Sequence, residues 1–196
     1  MFEVAEFVDG MRVSGDIFER WESLIEVFNV IFKRFFMNRT LYISDPDCLM
    51  LRKAENEDDD CRRYCTRTDE EIHTFQVAMY AAGGALFISD KLTLMNDRQI
   101  DMYSKMFPVG ERVGTPKDLW NSYIPGTIEC GTADGVRRVA LINWSERPRS
   151  FCVGLSGACS AVEHFTEEDL GIHSGEYRVT LNPHCSQLVC FKPISE

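Results

Sequence analysis

The sequence predicts an α/β region followed by an all-β region, and two observations carry that reading. From Asp16 to about Phe107, short apolar runs alternate with longer stretches whose apolar residues recur at steps of three and four. After Pro108 and Gly110 the helical period disappears, and short runs of Val, Thr, Ile and Tyr are broken by Gly, Pro and Asn. No internal repeat or low-complexity segment interrupts either part.

Ile17 to Phe36 places Trp21, Leu24, Ile25, Phe28, Ile31, Phe32 and Phe35 on one face, which predicts a long helix with a wide buried stripe. Leu41-Tyr42-Ile43 then ends in Ser44-Asp45-Pro46-Asp47, a short apolar run stopped by Asp-Pro, as expected of a buried strand entering a loop. Asp58, Asp59 and Asp60 read as a solvated loop, with a cation site as the alternative. Asp69 to Ala82 is a second helix: Thr68 can cap it, Asp69, Glu70 and Glu71 suit its first turn, and Gly83-Gly84 stops it. Ala85 to Ile88 is another strand, ending in Ser89-Asp90, and Asp97 to Met106 is a third helix with Ile100, Tyr103 and Phe107 on one face. Strands alternating with helices of this size imply parallel pairing through right-handed crossovers, in a barrel or a doubly wound sheet.

In the β region the clearest hairpin joins Thr127–Gly131 to Val136–Trp144 through Thr-Ala-Asp-Gly. Arg149 to Leu155, Tyr177 to Leu181 and Gln187 to Phe191 supply further strands, and an antiparallel sandwich would bury them. Trp120 and Trp144 could stack on a sugar, but burial inside the sandwich is the default for both.

Composition narrows the partners. The 196 residues carry 21 Lys+Arg against 31 Asp+Glu, a net charge of −10, which disfavours nucleic acid and anionic membrane surfaces. No apolar run approaches the roughly 20 residues of a membrane-spanning helix, and the acids Glu3, Glu6 and Asp9 stand where a signal peptide would carry basic residues. A cytoplasmic protein with reduced thiols is expected. The eight cysteines lie in core-rich sequence, and Cys61 and Cys65 lack further partners at zinc-ligand spacing, so they read as loop thiols.

Chemistry in parallel α/β folds collects where strands end, and three ends here carry acids: Asp16, then Asp45 with Asp47, then Asp90. Asp16 taken alone could simply cap a helix. The surrounding residues, however, are recognisable. VDGMRVSGDIFERW resembles the segment of clan D glycoside hydrolases, families 36 and 27, in which an Arg, three residues and an Asp follow barrel strand six. LYISDPDCLMLR resembles their strand-seven motif, commonly Trp-x-Asn-Asp-Pro-Asp followed by an apolar run and often an Arg. GGALFISDKLTLM resembles their strand-eight segment. The three stand in the family's order over residues 1 to 107, and the β region matches the C-terminal antiparallel domain of such α-galactosidases, or melibiases.

The resemblance implies the last three βα units of a (β/α)8 barrel over 1–110, then a β-sandwich domain over 111–196. It implies that Asp16 is the general acid/base, that Arg12 binds sugar hydroxyls, and that Trp21, Asp45, Asp47 and Asp90 belong to the substrate site, Asp45 and Asp47 bracing the mouth. Chemically the fit is sound, since retaining hydrolysis needs a carboxyl group that donates and later accepts a proton, and a guanidinium offers a rigid fork of donors. The rival reading is that Arg12 simply pairs with Asp16 or Asp9, and the family reading is preferred because Trp21, Asp45, Pro46, Asp47 and Asp90 all fall where the resemblance needs them. Tyr42 stands where the family usually has Trp, and Ser44 where it has Asn. No Lys-x-Asp triplet, the family's nucleophile motif on strand four, occurs in the chain.

The expected function is therefore the C-terminal portion of a retaining α-galactosidase-like hydrolase, inactive alone and needing no metal or organic cofactor. The alternative is a non-catalytic carbohydrate-binding or assembly module. The expected partners are an α-galactoside or related sugar, and either a second copy of the chain or the missing N-terminal half of the barrel, which would cover Leu41, Ile43, Leu86 and Ile88.

Overall fold

The computed structural model describes residues 2–56, 65–107 and 113–194. The acidic run at Asp58, Asp59 and Asp60, Cys61, and the boundary near position 110 lie outside the described residues. The chain is a mixed α/β fold with two parallel strand pairs and a six-stranded antiparallel sheet. No helix among the described residues is long and apolar enough to cross a membrane.

In the first part, β1 (Gly10–Arg12) pairs in parallel with β2 (Ile43–Asp45), and β3 (Cys48–Leu49) pairs in parallel with β4 (Phe87–Ile88). Pro46 separates β2 from β3, because a residue without an amide hydrogen cannot continue the ladder. The two pairs are stitched into one arrangement by the Ala85 amide, which donates to the Ser44 carbonyl at 2.8 Å. Gly84 permits this approach: a Cβ there would stand 2.1 Å from the Ser44 carbonyl oxygen.

Among the described residues three α-helices follow the strands: α1 (Trp21–Lys33), α2 (Asp69–Ala82) and α3 (Asp97–Ser104). α1 begins at Trp21 rather than Ile17, because the Ile17 and Phe18 amides are taken by side chains, Asp47 and Ser23, before the helix opens. α2 has the expected bounds. Thr68 and Glu71 form a reciprocal capping box, and Gly83 ends the helix with φ 64°. Its burial on nearly all sides reflects its place between α1 and the sheet. α3 departs from the expected face: Tyr103 is buried, but Ile100 and Phe107 are exposed, and Gln99 and Met106 point inward instead. Gln99 earns its burial by donating to the Leu51 carbonyl at 3.0 Å.

The antiparallel sheet has the order β5 (Thr115–Pro116), β6 (Thr127–Ala133), β7 (Val136–Ile142), β10 (Ser186–Pro193), β8 (Arg149–Glu163), β9 (Asp169–Leu181). The β6–β7 hairpin turns on Asp134 and Gly135, both with positive φ (54° and 72°), the backbone a two-residue turn of this twist requires. β8 and β9 are far longer than the apolar runs predicted. Gly154, Gly157, Gly171 and Gly175 dilute the pattern, and register shifts at Gly154/Ala158 and Ala161/Val162 absorb the irregularity.

Central strand β7 is apolar on both faces, and this divides the core. Val139 and Leu141 join Phe151, Tyr177, Val189 and Phe191 in a cluster internal to the β region. Ala140 and Ile142, with Ile128, Trp144 and Leu188, belong instead to the cluster that contains Trp21, Phe28 and Phe75 of the helices. The helices and the sheet thus share one core. Leu41, Ile43, Phe87 and Ile88 around the parallel strands are exposed by 37–55%, whereas Leu86, expected to need a cover, packs against the core.

Candidate active site at the strand ends

Arg12 closes β1, and its Nη2 lies 3.0 Å from Asp16 Oδ1 and 2.6 Å from Asp47 Oδ1. One guanidinium thus draws together two of the acids that the sequence singled out. The loop carrying Asp16 is fixed from below. Ile17 donates its amide hydrogen to Asp47 Oδ2 at 2.7 Å, and the Ser23 hydroxyl accepts the Phe18 amide at 2.9 Å while donating to the Asp16 carbonyl at 3.5 Å. Asp45 Oδ1 in turn accepts the Asp47 amide at 2.9 Å, holding Asp47 in a left-handed conformation at φ 78°. Asp16 itself is 75% exposed at its side chain, against 14% for Asp47. The arrangement presents one accessible carboxyl group on a rigid backbone, with a guanidinium beside it and two braced carboxylates behind.

Asp90 is placed differently. Its side chain is wholly buried and accepts hydrogen bonds from the Leu51 amide (2.6 Å), Arg52 Nη1 (3.2 Å) and the Tyr103 hydroxyl. Burial, reinforced by the Asp90 charge and hydrogen bond, pushes the Tyr103 phenol well above its ordinary range. Arg52 continues the network to the Ser89 carbonyl (2.8 Å) and to Glu19, with Nε 3.0 Å from Glu19 Oε1. Glu19, Arg52 and Asp90 come from the loops after β1, β3 and β4, so this cluster ties the three strand ends together. Arg67 lies beside it, its guanidinium 4.8 Å over the Phe75 ring and without a hydrogen-bond partner among the described residues. Burial lowers its pKa to about 10, against the opposing pull of Glu19 and Asp90.

Trp21 is also buried. It stacks on Trp144 at 5.5 Å and on His184 at 4.2 Å, so its ring belongs to the contact between the helices and the sheet. Of the six residues singled out, the structure gathers Arg12, Asp16, Asp45 and Asp47 in one place and sets Trp21 and Asp90 in the interior. Glu19, Arg67 and Tyr103 were not singled out. Glu19 lies inside the first motif but apart from its Arg12 and Asp16, which alone drew attention there, and only the fold brings Tyr103 to Asp90. Among the described residues no three His, Cys, Asp or Glu side chains converge to hold a metal ion.

No protein-family model and no curated protein matches the chain. Solved structures do. A family 27 β-L-arabinopyranosidase from Geobacillus stearothermophilus superposes with a TM-score of 0.76 at 21% identity, over 96% of this chain and 46% of that one. A variant of that enzyme in complex with arabinose gives 0.78 at 20% identity, over 100% and 48%. This chain has the fold of about half of that enzyme. α-Galactosidase I from Mortierella vinacea agrees, with a TM-score of 0.73 at 13% identity over 96% of this chain and 54% of that one. The chain thus spans about half the length of the solved structures it matches, and at these identities the likeness is one of fold.

Proposed function

We propose that the chain is the C-terminal part of a retaining α-galactosidase-like glycoside hydrolase of the family 36 type. Residues 1–110 would be the last three βα units of an eight-stranded barrel, and 111–196 a β-sandwich formed by the antiparallel sheet folding over its own apolar face. The observation that carries the reading is the Arg12 guanidinium held between Asp16 and Asp47 where parallel strands end. Asp16 is the general acid that protonates the glycosidic oxygen and, once ionised, the base that takes a proton from water. Arg12 offers donors to the sugar hydroxyls. Asp45 and Asp47 position the loop, while Asp90 and Trp21 act from the interior by fixing the strand ends and the helix behind them.

Double displacement also needs a nucleophilic carboxylate about 5–5.5 Å from the acid/base. Asp45 and Asp47 are committed to amide hydrogens and to Arg12, so the nucleophile comes from complementary barrel strands, in the same polypeptide or a separate one. The outer edges of β1 and β4 are where those strands would pair, covering the exposed Ile43, Phe87 and Ile88. The chemistry uses carboxyl groups alone and calls for no metal or organic cofactor.

The 196-residue chain is expected to hydrolyse aryl α-galactosides no faster than its Asp16→Asn variant. Combined with barrel strands bearing a Lys-x-Asp segment it should turn over, and Asp16→Asn should then lower the rate by about 100-fold or more. Turnover by the chain alone, abolished by Asp16→Asn, would place the nucleophile within these residues and refute the half-barrel reading.

A further inference from the structure

The chain has three tryptophans, and two of them are core residues: Trp21 is 6% exposed and Trp144 5%. The third, Trp120, is 92% exposed, and Tyr123 nearby is 75% exposed. The expectation that Trp120 is buried in the β region does not hold. An indole left in water forgoes one of the largest apolar burials available to a side chain, and such an exposed ring commonly marks a place where something binds.

The loop that carries both rings is firmly held. The Asp118 carboxylate accepts the amides of Gly126 (3.1 Å) and Thr127 (3.1 Å), the Ser122 hydroxyl (3.2 Å) and Arg149 Nη2 (2.9 Å). The Pro125 carbonyl accepts the Trp144 indole N–H at 2.9 Å, and Ile124 is buried. Trp120 and Tyr123 are therefore projected outward by a fixed frame. Beside them is a groove of about 320 Å³ lined by Lys33, Leu119, Trp120 and Ser122. Lys33 Nζ lies 5.0 Å from the centre of the Tyr123 ring, a cation over an aromatic face. Lys33 is the last residue of α1 and Asp16 precedes its first, so the 13-residue helix, about 20 Å long, separates this groove from the strand-end site.

We propose that this groove is a second carbohydrate site, which takes a terminal α-galactosyl unit and retains the substrate away from the strand ends. The ligand class rests on the α-galactosidase reading above. The axial hydroxyl at C4 of galactopyranose leaves the C–H groups of C3, C4 and C5 together on one face, a flat apolar patch that matches the indole of Trp120. The rim supplies complementary polar groups. Lys33 Nζ donates, and Ser122, whose proton goes to Asp118, retains lone pairs that accept from a sugar hydroxyl. The Asp118 carboxylate is already saturated with donors, so the groove favours an uncharged ligand. One aromatic face with two polar groups suits a weak site, with a dissociation constant on the order of 1 mM.

Acrylamide quenching of tryptophan fluorescence tests this on the intact chain, because Trp120 is the only accessible indole of the three. Melibiose should protect Trp120, glucose should not, and Tyr123→Ala should weaken the protection about tenfold. Asp16→Asn should leave the protection unchanged. Unaltered quenching with melibiose, equal protection by glucose, loss of protection in Asp16→Asn, or protection by protein concentration alone would each overturn the proposal. Asp16-dependent hydrolysis by a completed barrel without protection of Trp120 would refute the second site and leave the hydrolase reading standing. Protection without such hydrolysis would refute the hydrolase reading and leave the site.

Discussion

Asp47 and Ile17 stand 30 positions apart in sequence, yet the Asp47 carboxylate accepts the Ile17 amide hydrogen at 2.7 Å. The same carboxylate holds Arg12 at 2.6 Å, so one side chain after β2 fixes both the guanidinium and the backbone of the loop that presents Asp16. Asp47→Ala should therefore lower the urea midpoint by the equivalent of about 2 kcal/mol, since it strands a half-buried amide and removes a charged acceptor. Asp47→Asn should cost less, because it keeps an acceptor and tolerates the positive φ. Equal losses for the two variants would show that the carboxylate's hydrogen bonds do not hold the loop.

Arg67 should prove dispensable for stability. Its guanidinium is buried without a hydrogen-bond partner among the described residues, and a charge so placed loses more hydration than Glu19 and Asp90 return across the gap. Arg67→Met, which preserves the packing over Phe75, should unfold at the same or a higher urea concentration. A clear fall would mean that the charge is needed to hold Glu19 and Asp90 together.

His73 gives the fold an acid-sensitive point. Its Nε2 lies 3.8 Å from Glu163, but burial outweighs that carboxylate and lowers the histidine's pKa below its ordinary 6.5. The sign follows from proton counting. Below about pH 6.5 the unfolded chain binds a proton there that the folded chain resists, so the stability present above that pH is lost as pH falls through the folded-state pKa. His73→Gln should flatten this part of the pH dependence of the denaturation midpoint. An unchanged profile would refute the assignment.

The helices and the sheet should unfold as one unit. Trp144 of the β region stacks on Trp21 at 5.5 Å and on Phe28 at 5.9 Å, and Thr74 of α2 donates to the His184 carbonyl at 2.6 Å. The β region therefore relies on the helices for part of its core, despite strands that could otherwise close on themselves. Trp144→Ala should cost about 3–5 kcal/mol and lower a single transition seen by both far-UV and near-UV circular dichroism. Two separated transitions, or a protease-resistant fragment beginning near residue 113, would show that the sheet folds on its own.

The sequence by itself determined what depends on near neighbours along the chain. The cap at Thr68, the stop at Gly83 and the turn at Asp134-Gly135 are each settled within a few residues, and they stand where the pattern put them. The motifs around Arg12, Asp16, Asp45 and Asp47 were legible for the same reason, being short runs at strand ends. Tertiary structure alone decided the rest. Asp16 and Asp90 belong to the same kind of strand-end motif, yet one carboxylate faces water and the other is sealed beneath Tyr103 and Arg52, because only the packing of α3 determines which of them is covered. Trp21 and Trp144 are buried while Trp120 is not, a difference that composition and periodicity do not encode, since each indole's surroundings are assembled from residues distant in sequence. Burial is a property of the whole packed chain, and it separates the acid that faces solvent from the acid that holds the loops in place.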